Sequence, residues 1–451
     1  MKKQTTLSLA LCLCLVSTAW AGDDYGGMKI ESAKAEENAI RVSSTGAEFL
    51  FNLPTGEIDL VQRIPQRRRV GTIIGLNLKG AELKQEEDQC RITIPATRTV
   101  FTISADSLLR ISFGSAASVE VQGLYSPAKR QSSTNGFFLP DESGGIGLYP
   151  FGTVTSQAPG NWKPPWSISF KVSGAGQLWV SVFPPRPFDW AQSREGMLHS
   201  FSWKNPYPSD EQLKEWRKFG SVLTLHSFIW QGTTGGDARV EKDNSWLARD
   251  FKPKNEEELT RVVKTAHRLK MKVIPYMSAH YQSDPTPAGI EKFVKQIESA
   301  RQTYGFDGVY FDGIYYDIQA SYELMRRVRK VIGKEGILHI HMTGMPKIPF
   351  IECYADYTLG GEHAGQSKMS ENYIRWTISD WNMSNAIGMT CCDRTRPSLD
   401  LIEMMLAAHA RLPIWVGDGT WDGATYHLTA PELKLMEDEY LPRLHQTSES
   451  R

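Results

Sequence analysis

The chain has 451 residues, with 51 Lys and Arg against 51 Asp and Glu, so its formal charge is zero. That balance offers no basic surface for nucleic acid or an anionic membrane, and the length exceeds most single cores, which points to two domains. With 41% hydrophobic residues and 13 Trp, it reads as globular and rich in flat apolar side chains.

The chain opens MKKQTTLSLALCLCLVSTAWA. Lys2 and Lys3 precede an apolar run from Leu7 to Val16, and Ala19-Trp20-Ala21 supplies a small-x-small cleavage site. This predicts a secretory signal peptide over 1–21 and a periplasmic or secreted protein. No later run approaches the roughly 20 apolar residues of a span, so no membrane insertion is expected. Cys90, Cys353, Cys391 and Cys392 follow, too few for a stapled scaffold and without CxxC zinc spacing. The adjacent Cys391 and Cys392 fit either buried thiols or a vicinal disulfide.

From Ile30 to about Pro185 the chain reads as strands. AEFLFNL, IDLVQRI, GTIIGLNL, CRITIP, TVFTISA, LLRISFG, SISFKVS and QLWVSVF are short, often alternating, and separated by Gly, Pro, Asn and Ser. This predicts an antiparallel β-sandwich domain over 22–190. Its loop GNWKPPWS, with Trp162 and Trp166, is either a sugar-stacking lip or a stiff turn.

After FPPRPFDW (183–190) the period changes. Leu259, Val262, Val263, Ala266 and Leu269 fall at helical spacing, as do Ile290, Phe293, Val294 and Ile297, then Leu324, Met325, Val328 and Val331. Short apolar runs lie between the helical stretches: GMLHSFSW, SVLTLHSFIW, KVIPYMSA, GVYFD, ILHIHMT, YADYTLG, NAIGMTC and LPIWVGD. Eight such units across about 250 residues predict a (β/α)8 TIM barrel over 191–445, so the fold class is α/β with a β-sandwich in front.

In such a barrel the reaction centre lies at the C-terminal ends of the strands. The stretch GFDGVYFDGIYYD (305–317) ends its strand in Asp312, which shares a face with Tyr310, while Gly313 lets the chain turn. Asp317 and Gln319 are placed to begin the next helix. A glycosidase needs two carboxyl groups across one bond. Asp312 is one candidate; the sixth run, YADYTLGGEHAG, supplies Glu362 after Gly360-Gly361 and Asp356 within the strand. Glu362 suits a reaching acid, and Asp356 a buried structural or substrate-supporting residue.

GFDGVYFDG resembles the fourth-strand nucleophile motif of retaining α-glycosidases of the α-galactosidase-like superfamily, with relatives acting on galactose or N-acetylgalactosamine. The resemblance implies a β-sandwich before a catalytic barrel, Asp312 as nucleophile and, by strand count, Glu362 as acid/base. The expected protein is an exported glycoside hydrolase that cleaves an α-linked sugar from an oligo- or polysaccharide and requires no cofactor.

Other residues at strand ends complete the expected site. Trp203, Trp230, Tyr281, Tyr315 and Tyr316 could stack on a sugar ring or pack the rim. Asp393, Arg394 and Arg396 follow strand seven, and Asp418 and Asp422 follow strand eight; these could hold hydroxyls or form a salt-bridged rim. Of them, Trp203, Trp230, Tyr315, Arg394 and Asp418, together with His280, His341 and Asp356, are the expected substrate-binding set. Two rivals remain. One is a non-catalytic carbohydrate-binding protein; the other is a metal-dependent hydrolase in which His339 and His341, an H-x-H pair, join Asp312 around Zn²⁺ with His199, His226 and His280 nearby.

Overall fold

The computed structural model describes residues 27–128, 131–133, 136–187, 196–202, 204–232, 250–341, 348–360, 384–387, 396–407, 410–418, 420–421, 424–425 and 427–444. Two large sheets form its frame. The first holds 14 antiparallel strands between Ile30 and Phe183, and the second is wholly parallel.

In the antiparallel sheet, the path of paired strands runs from Ile30–Ala35 at one end to Glu82–Gln85 at the other. Residues from both halves of that path share one core: Val42, Phe49 and Phe51 meet Ile92, Phe101 and Ile103. Phe51 and Phe101 sit edge to face at 5.3 Å, so the sheet curls over on its own apolar face. The tryptophans of GNWKPPWS belong to this packing. Trp166 is buried and donates from Nε1 to the Tyr125 carbonyl at 2.7 Å, and Trp162 leans on it.

The long strand Trp166–Phe183 joins this core to the rest of the molecule through its alternation. Leu178, Val180 and Val182 enter the core just described, while Trp179 points the other way. There it meets Phe350 at 5.6 Å and Tyr322 at 5.4 Å, beside Tyr149 of the paired strand. Polar contacts frame this seam. Tyr354 donates to buried Asp106 at 2.7 Å, Arg326 pairs with Asp88, and Arg186 donates to the Cys353 and Ala355 carbonyls at 3.1 Å each.

The parallel sheet is built from β1 (Met197–Ser200), β2 (Val222–Leu225), β3 (Lys272–Met277), β4 (Gly308–Asp312), β5 (Ile337–His341), β6 (Tyr357–Gly360), β7 (Ser384–Ile387), β8 (Ala410–Arg411) and β9 (Ile414–Val416). Strands β1 to β8 pair in chain order, and β9 pairs with β1. Since β8 and β9 are two pieces of the segment 410–416, the ends of the sheet meet across Leu412 and Pro413. The break has a cause: Pro413 has no N–H to give to a ladder. Leu412 N–H is instead taken by the Tyr440 hydroxyl at 3.0 Å.

Helices follow the strands, with ends written in the sequence. Helix α1 (Asp210–Trp216) starts on a capping box between Ser209 and Gln212. α2 (Glu256–Arg268) is capped by Asn255. α3 (Pro287–Tyr304) has Thr286 as cap, proline in its first turn, and Gly305 at φ 77° as its left-handed stop. α4 (Ile318–Ile332) is capped by Asp317, which accepts from Ala320 N–H at 2.7 Å. Among the described residues, no helix is long and apolar enough to cross a membrane.

Alternation along the parallel strands separates two faces. Val309 and Phe311 face the helices, where Phe311 meets Phe293 of α3 at 5.7 Å. The opposite, inner face holds Met197, Val222, Ile274 and Ile337 at the N-terminal level. A level higher come Tyr276, Tyr310 and Tyr357, with His199, His339 and Trp415 beside them. The inner face thus turns from aliphatic to polar towards the C-terminal ends of the strands.

Candidate active site

The three aspartates of GFDGVYFDGIYYD have three separate jobs. Asp307 precedes β4 and accepts from Val273 N–H at 2.7 Å and from His267 at 2.9 Å, tying adjacent units together at the N-terminal edge of the sheet. Asp317 caps α4. Only Asp312 stands at the C-terminal edge on the inner face, with its side chain 25% exposed.

Both carboxylate oxygens of Asp312 are held. His341, its register partner on β5, donates from Nδ1 to Oδ1 at 2.8 Å. Tyr276 of β3 donates its hydroxyl to Oδ2 at 2.7 Å. The Ser278 hydroxyl donates to the Asp312 carbonyl, fixing the backbone beneath the carboxylate. Burial by itself pushes the Asp312 pKa up. The hydrogen bond and charge of His341, the Tyr276 bond and the His226 charge together outweigh it, so the group lies below the usual carboxylate range. Asp312 is therefore an anion at neutral pH, poised as a nucleophile or base.

The surroundings are aromatic and largely neutral. Burial raises the Tyr276 hydroxyl well above its ordinary value, and the nearby Asp312 charge adds to that, so Tyr276 remains a donor. His226, just past β2, lies against Tyr276 at 4.5 Å between ring centroids and shares its Nδ1 with the Ser227 hydroxyl at 3.0 Å. Burial lowers its pKa to about 4, against the opposing pull of Asp312. A neutral imidazole at this edge can both donate to and accept from a hydroxyl.

Below this level, His199 stacks on Trp415 at 4.2 Å, and His339 packs on Tyr310 at 4.5 Å. Burial holds both far below the ordinary histidine value. Among the described residues, His199 Nε2 and both ring nitrogens of His339 have no hydrogen-bond partner. His339 and His341 share a face, as their spacing requires, but sit at different depths, and His341 is committed to Asp312. Among the described residues, no three His, Cys, Asp or Glu side chains converge in a way that could hold a metal ion.

Several expected site residues belong elsewhere. Trp230 is fully buried on the helix side against Phe251 and Phe306, donating to the Tyr276 carbonyl at 2.9 Å; it is a core residue, not a sugar platform. Tyr315 is buried too, its hydroxyl bonded to Ser283. Asp356 precedes β6 at the N-terminal edge, opposite Asp312, and accepts from Arg329 and Leu338 N–H, both at 2.6 Å. It is structural, remote from any ligand at the mouth. Arg396 donates to the His427 carbonyl and pairs with Glu432 at 3.4 Å, a rim contact.

Other expectations fit the mouth. Asp418 follows β9 at the C-terminal edge, exposed, accepting from Ser202 and from Asn205 at 3.3 Å. His280 is the second residue of the short helix Ala279–Gln282 after β3, half-buried, its N–H 3.5 Å from the Gly313 carbonyl. Glu362, Trp203, Arg394, Asp393, Asp422, Cys391 and Cys392 lie outside the described residues, as does the segment 1–21. Cys90 and Cys353 are buried, and burial pushes the Cys90 thiol up to about 12.

Tyr276 was not singled out by the sequence, and His226 only as a metal ligand. The signal was present: period-two alternation from Ile274 puts Tyr276 on the inner face, one strand from Asp312.

No protein-family model matches the chain, and no curated protein matches its sequence. Solved structures similar to it are glycoside hydrolases of low identity. The maltogenic α-amylase AmyB of Thermotoga neapolitana is 12% identical over 57% of this chain and 78% of that one, with a TM-score of 0.39. A GH36 α-galactosidase of Geobacillus stearothermophilus is 9% identical over 93% and 71%, at 0.43. A GH31 dextranase of Flavobacterium johnsoniae, solved with isomaltotriose, is 9% identical over 93% and 68%, at 0.39.

Proposed function

We propose that the parallel sheet with its helices is a (β/α)8 barrel, that the curled antiparallel sheet is a β-sandwich packed on it, and that the protein is an exported glycoside hydrolase acting on α-linked sugars with retention. The observation that supports this best is Asp312, an ionised carboxylate at the C-terminal edge of the fourth strand, oriented through both oxygens and open to solvent on one side. A carboxylate tied down in this way presents its remaining lone pairs in a fixed direction, which favours attack on an electrophilic carbon.

In the first step the Asp312 oxygen bonds to the anomeric carbon, the bond to the leaving oxygen breaks, and that oxygen takes a proton from Glu362. In the second, water attacks the same carbon and passes its proton to Glu362, and the carboxylate of Asp312 is released. Tyr276 and His341 serve as positioning residues that keep Asp312 charged. Glu362 is assigned to the acid role by its place two residues past β6, whose C-terminal end lies on the same edge as Asp312.

The test compares wild type with Asp312→Asn on α- and β-linked aryl glycosides and mixed polysaccharides. The expected result is release of one sugar by wild type as its α-anomer, reduced more than about 1000-fold in the variant. Equal release by both proteins would remove Asp312 from the mechanism. Glycan binding without release by either would favour a non-catalytic carbohydrate-binding protein.

A further inference from the structure

Beside Asp312 stands a wall of three rings. His280 is met edge to face by Tyr281, at 4.6 Å and 80°, and by Tyr316, at 4.7 Å and 84°. Two loops build it, one after β3 and one after β4. Gly313 joins them: it takes φ 87°, and a Cβ there would stand 3.0 Å from the His280 Cβ. The wall therefore begins one residue from Asp312, and Tyr281 is near enough to Tyr276 to raise its pKa.

Among the described residues only four large apolar side chains are exposed, and two of them are Tyr281, at 42%, and Tyr316, at 58%. Two exposed tyrosines that both meet the His280 ring suit a flat partner with a polar rim. A pyranose is such a partner, since its axial C–H bonds can lie on a ring while its hydroxyls reach solvent. The direction follows from Asp312. Its carboxylate is held by two buried residues, Tyr276 and His341, so the sugar it attacks must lie deep. The wall is the outer, exposed side of the same site.

We propose that Tyr281, His280 and Tyr316 form a leaving-group subsite that stacks a second pyranose ring, so that the substrate is a chain of at least two sugars rather than a simple glycoside. This rests on the glycosidase reading above.

The experiment compares wild type with Tyr281→Ala, Tyr316→Ala and the double variant. Hydrolysis of maltotriose, isomaltotriose and raffinose is measured against that of α-glucosyl and α-galactosyl fluoride, whose leaving group has no ring to stack. The double variant is expected to lower the ratio of kcat/KM on the trisaccharide to kcat/KM on the fluoride by about tenfold, mostly through KM. An unchanged ratio overturns the subsite. If wild type hydrolyses neither fluoride nor trisaccharide, the glycosidase reading fails separately, and calorimetric titration with the same trisaccharides decides the subsite. Weaker binding by the double variant then supports it, while equal or absent binding overturns it.

Discussion

At the scale of single residues, the site depends on how Asp312 retains its charge. Burial works against ionisation, and donors from Tyr276 and His341 reverse it, so each donor controls the acid side of the pH profile. Tyr276→Phe removes one of them and leaves the ring packing in place. Loss of a bond that favours the charged form raises the Asp312 pKa, so the acid limb of kcat/KM moves to higher pH. Activity at neutral pH falls about tenfold, the worth of one charged hydrogen bond. A pH–rate series checks this, and an unmoved acid limb would sink it. Stability has the same sign. A carboxyl lowered in the folded state stabilises above its unfolded value, about 3.9, and that contribution is lost as pH falls through the folded one. Acid unfolding of Tyr276→Phe accordingly begins at higher pH than in wild type.

At the scale of elements, the register between β4 and β5 sets the Asp312–His341 pair, and a glycine at the far end of β4 permits it. A Cβ on Gly308 would stand 1.9 Å from the Ile337 carbonyl oxygen, a backbone atom that cannot move without shifting β5. Gly308→Ala is expected to cost about 3 kcal/mol. Gly333→Ala, at φ 70° but with nothing within 4 Å, costs about 1 kcal/mol. Urea midpoints give the ranking, and the reverse order would contradict it. The strands themselves were legible because alternation and helical spacing survive in sequence, and so were Asp312 and the Asp317 cap. Trp230 was misread for a local reason. Alternation carried on from His226 would bring it inward, but Ser227–Ile229 forms a 3-10 turn that breaks the period and swings Trp230 to the helix side. Tyr315 was lost because the positive φ of Gly313 ends the strand's alternation, and its carbonyl accepts from the Ser321 hydroxyl of α4 at 2.8 Å. Asp356 was misplaced because the run YADYTLG does not say where pairing begins; the strand starts one residue later, at Tyr357.

For the molecule as a whole, the two sheets are coupled through a seam of side chains. Trp179 is its centre, buried between Phe151, Tyr322 and Phe350. Trp179→Ala should cost about 3–5 kcal/mol, the range for a large aromatic removed from a packed site. It should also separate one unfolding transition into two, seen by thermal denaturation followed by circular dichroism. A single transition with unchanged midpoint would show that Trp179 does not couple the two halves. Tyr322 and Tyr354, on the far side of the seam, belong to α4 and to the turn before β6, so the antiparallel sheet braces the elements that flank Asp312.

The meeting of the sheet ends across Leu412 and Pro413 also sets the order of events during synthesis. β1 needs β9 as a neighbour, His199 beside Trp415, yet about two hundred residues separate them in the chain. A ribosome working at roughly 5–20 residues per second makes the first strand some 10–40 s before its partner. Throughout that time Met197–Ser200 has one edge with nothing to pair to. Nascent chains stalled short of residue 414 are therefore open sheets with an adhesive border, prone to join one another. The last strand of the parallel sheet to emerge is the one that seals the protein against its own copies.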